Sequence, residues 1–134
     1  MAFVSWDESM SVNVHEIDVQ HQKLIGMISE FYECISTDAR AAFQGLLDSL
    51  EEYTRYHFAT EEKYFKRFSY PDAVNHVNMH QKFTEKVSEV RKRLDQGELV
   101  VSLEVTLFLK DWLTHHIKQA DKAYGSFFNM HGLS

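Results

Sequence analysis

Apolar residues recur at every third or fourth position through four long stretches of this chain. That spacing places them on one side of an α-helix, whereas a half-buried strand would need every second residue to be apolar. One proline and five glycines leave the stretches almost uninterrupted over 134 residues. The pattern therefore predicts an all-α protein.

The first two predicted helices carry polar residues within their apolar stripes. The first helix begins with Asp18 as its N-cap and runs to about Ser36, with His21 on the same face as Leu24 and Ile28. The second helix extends to about residue 68. Its inner face is predicted to hold Phe43, Leu47, Leu50, Thr54, His57, Glu61, Tyr64 and Phe68.

The third and fourth helices repeat this mixture of apolar residues and histidines. Pro71 suits the first turn of the third helix, where no N–H is needed, and Gly97 ends that helix. Ser102 is predicted to cap the fourth helix. The inner faces are expected to hold His76, His80, Phe83, Val87, Val90 and Leu94, and then Val105, Leu109, Trp112, His116, Ala123 and Phe127.

Four helices with short connections favour an antiparallel up-down-up-down four-helix bundle. The length suits one domain with one core. Residues 1–17 are then an N-terminal arm, residues 18–128 form the bundle, and Val4 and Trp6 are expected to pin the arm to it.

The most informative feature is the placement of histidines and carboxylates on the inner stripes. His57 and Glu61 are four residues apart, as are His76 and His80, so each pair lies one turn apart on one helix face. Taken singly, such residues are more often satisfied core or surface residues than ligands. Their joint placement predicts one buried cluster of His21, His57, Glu61, His76, His80, His116 and Asp121.

The fourth helix leaves one ambiguity of register. Asp121 follows His116 by five residues, which is about 140° around an ideal helix, so either Asp121 reaches back or the helix bulges. His115 is the alternative to His116, but the spacing to Trp112 and Asp121 favours His116. His15, His115 and His131 are expected at the surface.

Seven donors exceed the needs of one metal ion, so the set predicts two. Imidazole with carboxylate suits iron, with zinc, copper and nickel as competitors, and a single cysteine excludes a thiolate zinc site. Burying so many polar groups without metal would be costly, so metal binding should be coupled to folding.

Four segments, 17–24, 56–62, 70–80 and 112–121, resemble the signature blocks of the hemerythrin family and occur in the family's order. The resemblance extends over nearly the whole chain. It implies two iron ions (Fe²⁺/Fe³⁺), bridged by Glu61, Asp121 and an oxo or hydroxo group, with dioxygen as the ligand. His76, His80 and His116 would hold one iron and His21 and His57 the other, as the resemblance implies, and Trp112 and Leu113 would wall the dioxygen pocket.

The resemblance favours a dioxygen carrier or store rather than an enzyme. The alternatives are a di-iron enzyme and a sensor of oxygen, redox state or nitric oxide. The ferritin-like Glu-x-x-His pattern is absent from the sequence, which lowers the enzyme alternative.

Charge and composition exclude some partners and suggest a compartment. A net charge of -6 offers no basic surface for nucleic acid. No segment has the length of a membrane span and the first residues lack a secretory pattern, so we expect a cytoplasmic protein. The sequence does not identify a protein partner.

Overall fold

A bundle of four antiparallel helical segments is seen in the computed structural model, which describes residues 4–37, 40–96 and 101–134. Side chains of residues 35–37, 40–43 and 101–103 are outside this description. The described part of the chain contains no strand, so the predicted all-α bundle is confirmed. The helices are α1 (His15–Thr37), α2 (Arg40–Phe68), α3 (Ala73–Asp95) and α4 (Val101–His115), which continues through a π-helical turn (His116–Asp121) into α5 (Lys122–Met130).

The helices form a closed ring of neighbours. Helix α1 packs on α2 and α4, and α3 packs on the same two helices from the opposite side. Such a ring gives each helix one inward stripe, which is where the apolar residues recur in the sequence. Within the described ranges, no helix is both long enough and apolar enough to cross a lipid bilayer.

The arm changes the predicted start of the first helix. Helix α1 begins at His15, three residues before Asp18. The Asp18 carboxylate instead accepts hydrogen bonds from the Ser11 hydroxyl at 2.6 Å and the Val12 amide at 2.9 Å. Asp18 therefore fixes the arm to α1 rather than capping the helix, because the folded arm supplies the two donors.

The other predicted helix boundaries are also adjusted. Helix α3 begins at Ala73, directly after Asp72, so Pro71 lies in the preceding turn rather than within the helix. Gly97, the predicted end of α3, lies outside the described residues, and α3 ends at Asp95. The backbone of Ser102 already belongs to α4, while its side chain is not described.

Two apolar clusters lie on either side of the predicted polar cluster. The larger fills most of the bundle and includes Leu24, Ile28, Leu50, Phe83, Leu109 and Leu113. The smaller closes the end of the bundle nearest the arm. It consists of Val12, Val14, Ile17, Tyr64, Phe65, Tyr124 and Phe128.

The arm packs closely against the C-terminal part of the fourth helical segment. It forms a short 3₁₀ turn (Glu8–Met10), and Val4 and Trp6 pack against the larger cluster as predicted. The Ser29 hydroxyl donates a hydrogen bond to the Val4 carbonyl at 2.8 Å. Gly125 is buried against Val12, and a Cβ added at Gly125 would lie 2.4 Å from the Val12 carbonyl oxygen.

Replacing Gly125 by alanine is expected to lower the free energy of unfolding by about 1–3 kcal/mol, because the added methyl must push the arm away. Urea unfolding of the purified proteins measures this change. Gly26→Ala is the matched control, since Gly26 is an exposed helical glycine with nothing within 4 Å of an added Cβ. That variant should be as stable as the parent or slightly more so. Equal stability of both variants would show that the arm accommodates the methyl.

Candidate metal centre

Each side of the bundle contributes to one buried polar cluster. Helix α1 contributes one residue, while α2, α3 and the π-helical turn contribute two each. All seven side chains predicted as ligands face inward, and none is more than 7% exposed. They are His21, His57, Glu61, His76, His80, His116 and Asp121.

The π-helical turn resolves the five-residue spacing in the fourth segment. It runs from His116 to Asp121, and a π turn widens the backbone so that residues five apart lie nearly above one another. Asp121 Oδ1 thereby lies 3.0 Å from His116 Nε2. The spacing predicts either a long reach of Asp121 or a bulge in the helix, and the structure shows the bulge.

The same turn corrects two predicted core residues. Beyond it, Tyr124 and Phe128 are fully buried, whereas Ala123 is exposed and Phe127 is only partly buried. The wider turn shifts the following residues around the axis by roughly one position. The inner face therefore moves one residue along the chain, which an uninterrupted helical period could not reveal.

The seven residues form two overlapping groups of four. Within each group, the candidate ligand atoms all lie within 4.8 Å of one another. Glu61 belongs to both groups, so this residue joins two positions that could each hold a metal ion. The first group comprises Glu61, His76, His80 and His116, and the second comprises His21, His57, Glu61 and Asp121.

Both carboxylates lie between imidazoles of the two groups. Asp121 Oδ2 lies 3.0 Å from His21 Nε2, while Oδ1 lies 3.0 Å from His76 Nε2. Glu61 Oε1 lies 3.0 Å from His57 Nε2 and 3.4 Å from His80 Nε2. This arrangement is suited to two cations that share their carboxylate ligands.

The candidate ligand atoms of the cluster lie close together, but many of them form no hydrogen bond. Both oxygens of Glu61 and of Asp121, and Nε2 of His21 and His80, have no hydrogen-bond partner among the described residues. Nε2 of His116 also approaches Nε2 of His76 at 3.1 Å. Unsatisfied buried polar atoms are costly, and lone pairs that converge without hydrogen bonds fit metal coordination. The donor set, rich in imidazole and carboxylate, fits iron.

The imidazoles determine the charge state of the two carboxylates. Burial and the charge of Asp121 would raise the pKa of Glu61, but His57 and His80 outweigh both and lower it to about 2. Burial likewise acts to raise the pKa of Asp121, yet His116, His21 and His76 hold it well below its ordinary value. Both groups are therefore carboxylates at neutral pH, as metal ligands must be.

Two further polar residues contact the cluster from outside, and neither is predicted from the sequence. Gln20 Oε1 lies 2.6 Å from His57 Nδ1, and Glu62 Oε2 lies 3.0 Å from His80 Nδ1. Glu62 looks like part of a solvated helix face in the sequence, but its side chain is only 39% exposed. Its position beside Glu61 was the available signal, yet only the packing of α2 on α3 brings it to His80.

The remaining histidines lie outside the cluster. His15, His115 and His131 are exposed, as predicted. The Nδ1 atom of His115 lies 2.9 Å from the carbonyl oxygen of Asp111 on its own helix. His116 rather than His115 therefore faces the other histidines.

Aromatic rings cover two of the imidazoles on the side of the larger apolar cluster. Phe58 stacks on His80 with ring centroids 3.7 Å apart, and Trp112 stacks on His116 at 4.3 Å. Beside these rings is a small cavity within the bundle. Its lining residues are Leu24, Ile28, Leu50, Thr54, Phe58, Phe83, Leu109, Trp112 and Leu113.

Known proteins are similar to this chain in sequence and in fold over nearly its whole length. Residues 12–127 match the family model of the hemerythrin HHE cation binding domain. The chain is 32% identical over 131 residues to a bacteriohemerythrin of Stenotrophomonas maltophilia, covering 98% of this chain and 85% of that one. It is 31% identical over 126 residues to a bacteriohemerythrin of Methylococcus capsulatus, covering 93% and 96%.

Solved structures extend this similarity to the backbone. A crystal structure of wild-type hemerythrin superposes with a TM-score of 0.88 at 30% identity, covering 93% of this chain and 97% of the other. The buried histidines and carboxylates thus lie in a fold that hemerythrins share. By the match over residues 12–127 and the similarity of its relatives, this chain belongs to the hemerythrin family.

Proposed function

We propose that this chain binds dioxygen reversibly at two non-haem iron ions, as a carrier or store. The observation that carries the proposal is the pair of ligand groups that share Glu61. Several of their carboxylate oxygens and imidazole nitrogens have no hydrogen-bond partner among the described residues. Membership of the hemerythrin family supports it. Iron bound there would supply the electrons that dioxygen binding requires.

The proposed division of ligands gives one iron fewer protein ligands than the other. His76, His80 and His116 would hold one iron, and His21 and His57 the other, with Glu61 and Asp121 shared. A position with three imidazoles has fewer free coordination sites than one with two. Dioxygen is therefore assigned to the iron held by His21 and His57.

The surroundings of that position are apolar. Leu24 follows His21 by three residues, Phe58 follows His57 directly, and both line the small cavity. The cavity volume is about 10 Å³, which is at the lower limit for one water-sized molecule. Leu113 completes the wall and is 5% exposed. These residues would exclude water and mobile protons, which favours release of dioxygen over its reduction.

Trp112 lies between this cavity and an open groove on the surface. Its side chain lines the inner cavity and also an open groove between α3 and α4, where Met79 and Phe108 lie. Phe108 lines the groove but is not among the residues that line the cavity. The Trp112 indole thus forms the wall between the cavity and this groove.

Trp112→Ala is expected to shorten the lifetime of the air-dependent absorption band by about tenfold, equivalent to about 1.4 kcal/mol in the barrier. The physical reason is that removing the indole opens the cavity to the groove and admits water. The decay of the band in sealed, air-equilibrated samples measures this lifetime. Phe108→Ala is the matched control and should leave it unchanged. An unaltered lifetime in Trp112→Ala would show that the indole does not protect the site.

The proposed function is tested by the absorption spectrum of the anaerobically reduced, iron-loaded protein. Spectra are recorded before air, after air and again after degassing. A visible charge-transfer band that appears with air and disappears on degassing is the expected result. Irreversible conversion to an oxidised spectrum would contradict reversible binding and support the enzyme or sensor alternative.

A further inference from the structure

His57 and His80 have chemically different partners on their outward-facing nitrogens. Both direct Nε2 toward Oε1 of Glu61, at 3.0 and 3.4 Å. On the other side, Nδ1 of His57 contacts Gln20, a neutral amide that is 4% exposed. Nδ1 of His80 contacts the carboxylate of Glu62. The two ligand groups therefore differ in charge just outside the imidazoles.

The partner of each Nδ1 fixes where the imidazole proton lies. The Gln20 amide donates a hydrogen bond to the Thr60 hydroxyl at 3.2 Å, and that hydroxyl donates to the Tyr56 carbonyl at 3.1 Å. The Gln20 oxygen is thus left to accept from His57 Nδ1. A carboxylate oxygen of Glu62 can likewise only accept. In both histidines, Nδ1 carries the proton and Nε2 is free to bind a metal.

Resting on the proposed di-iron function, we propose that Glu62 is a positioning residue that holds His80 and lowers the reduction potential of the iron bound by His76, His80 and His116. A carboxylate that accepts a hydrogen bond from Nδ1–H makes the imidazole a stronger electron donor to the metal. The more positively charged ferric state gains most from that donation. Gln20 carries no charge and gives the other iron no such preference.

The location of Glu62 limits the size of this effect. Its side chain lies in a surface groove on α2 and α3 that Val77, His80, Gln81, Thr84 and Glu85 also line. Solvent reaches the carboxylate and screens its charge. We therefore expect a change of about three- to tenfold in the ratio of oxidised to reduced iron, or about 30–60 mV at 59 mV per tenfold.

Glu62→Gln tests the proposal because it keeps the shape and an acceptor oxygen while removing the charge, which reproduces the environment of His57. The variant should retain both irons and show a higher midpoint potential in an anaerobic spectroelectrochemical titration. Glu85→Gln is the matched control, since it removes the same charge from the same groove without a hydrogen bond to His80. Its potential should equal that of the parent protein.

A second measurement follows the hydrogen bond itself. In the zinc-loaded, diamagnetic protein, the His80 Nδ1 proton should resonate far downfield by NMR, and this shift should diminish in Glu62→Gln and be lost in Glu62→Ala. An unchanged midpoint potential in Glu62→Gln with both irons present would overturn the proposal. Equal changes of midpoint potential in Glu62→Gln and Glu85→Gln would also overturn it. If the parent protein binds no iron, the proposed function fails, and the NMR result still decides the positioning role.

Discussion

Replacing Glu61 by alanine is expected to lower the iron bound per chain from two ions to one or none. Glu61 belongs to both ligand groups, so its loss removes a ligand from each proposed iron position at once. Among the seven predicted ligands, Asp121 would then be the one carboxylate left to balance two cations in a buried site. The measurement is iron content per protein after anaerobic loading and desalting.

The control for this substitution comes from the same helix. Glu52 is exposed on α2, so Glu52→Ala should keep both irons. Glu61→Gln keeps the side-chain volume and guards against failure of the alanine variant to fold; it too should bind less iron, because an amide is a weaker ligand than a carboxylate. Retention of both irons in both Glu61 variants would refute the bridging assignment.

Removing the metal is expected to lower the free energy of unfolding by more than about 5 kcal/mol, since structural zinc sites alone couple about 10–16 kcal/mol to folding. Without metal, five imidazoles and two carboxylates remain buried, and several of their nitrogen and oxygen atoms have no hydrogen-bond partner in the part of the chain that the structure describes. Urea unfolding of chelator-treated and anaerobically loaded protein measures the difference.

Two histidine variants show whether this stabilisation comes from the cluster. His115 is exposed and belongs to neither ligand group, so His115→Ala should show the same difference between loaded and metal-free protein. His116→Ala removes a member of the first group and should reduce that difference. If metal-free and loaded parent protein unfold at the same urea concentration, the cluster is not a site at which metal binding supports the fold.

Much of the fold could be predicted because helices are local structures. The recurrence of apolar residues at three- and four-residue steps indicated four helices, and their inward stripes follow from the same count. Helix ends were predicted less well. Asp18 has the residue type of an N-cap, but the arm folds back beside α1 and provides the donors that Asp18 binds.

The membership of the polar cluster could also be predicted from spacing. Pairs such as His57 with Glu61 and His76 with His80 lie on one face of any regular helix, and apolar neighbours on the same face turn them inward. The structure brings all seven residues together. Their role as iron ligands stays a prediction until the iron is measured.

The sequence by itself determined the four helices, their buried faces and the set of seven polar residues, because each depends on a period that is set within one helix. Only the tertiary structure decided two other features. The spacing of His116 and Asp121 allowed a bulge or a long reach, and packing produced the π-helical turn that buries Tyr124 and Phe128. Gln20 and Glu62 became partners of His57 and His80 through contacts between different helices. Such contacts depend on which helices are neighbours and how they are rotated, and no period along one helix contains that information.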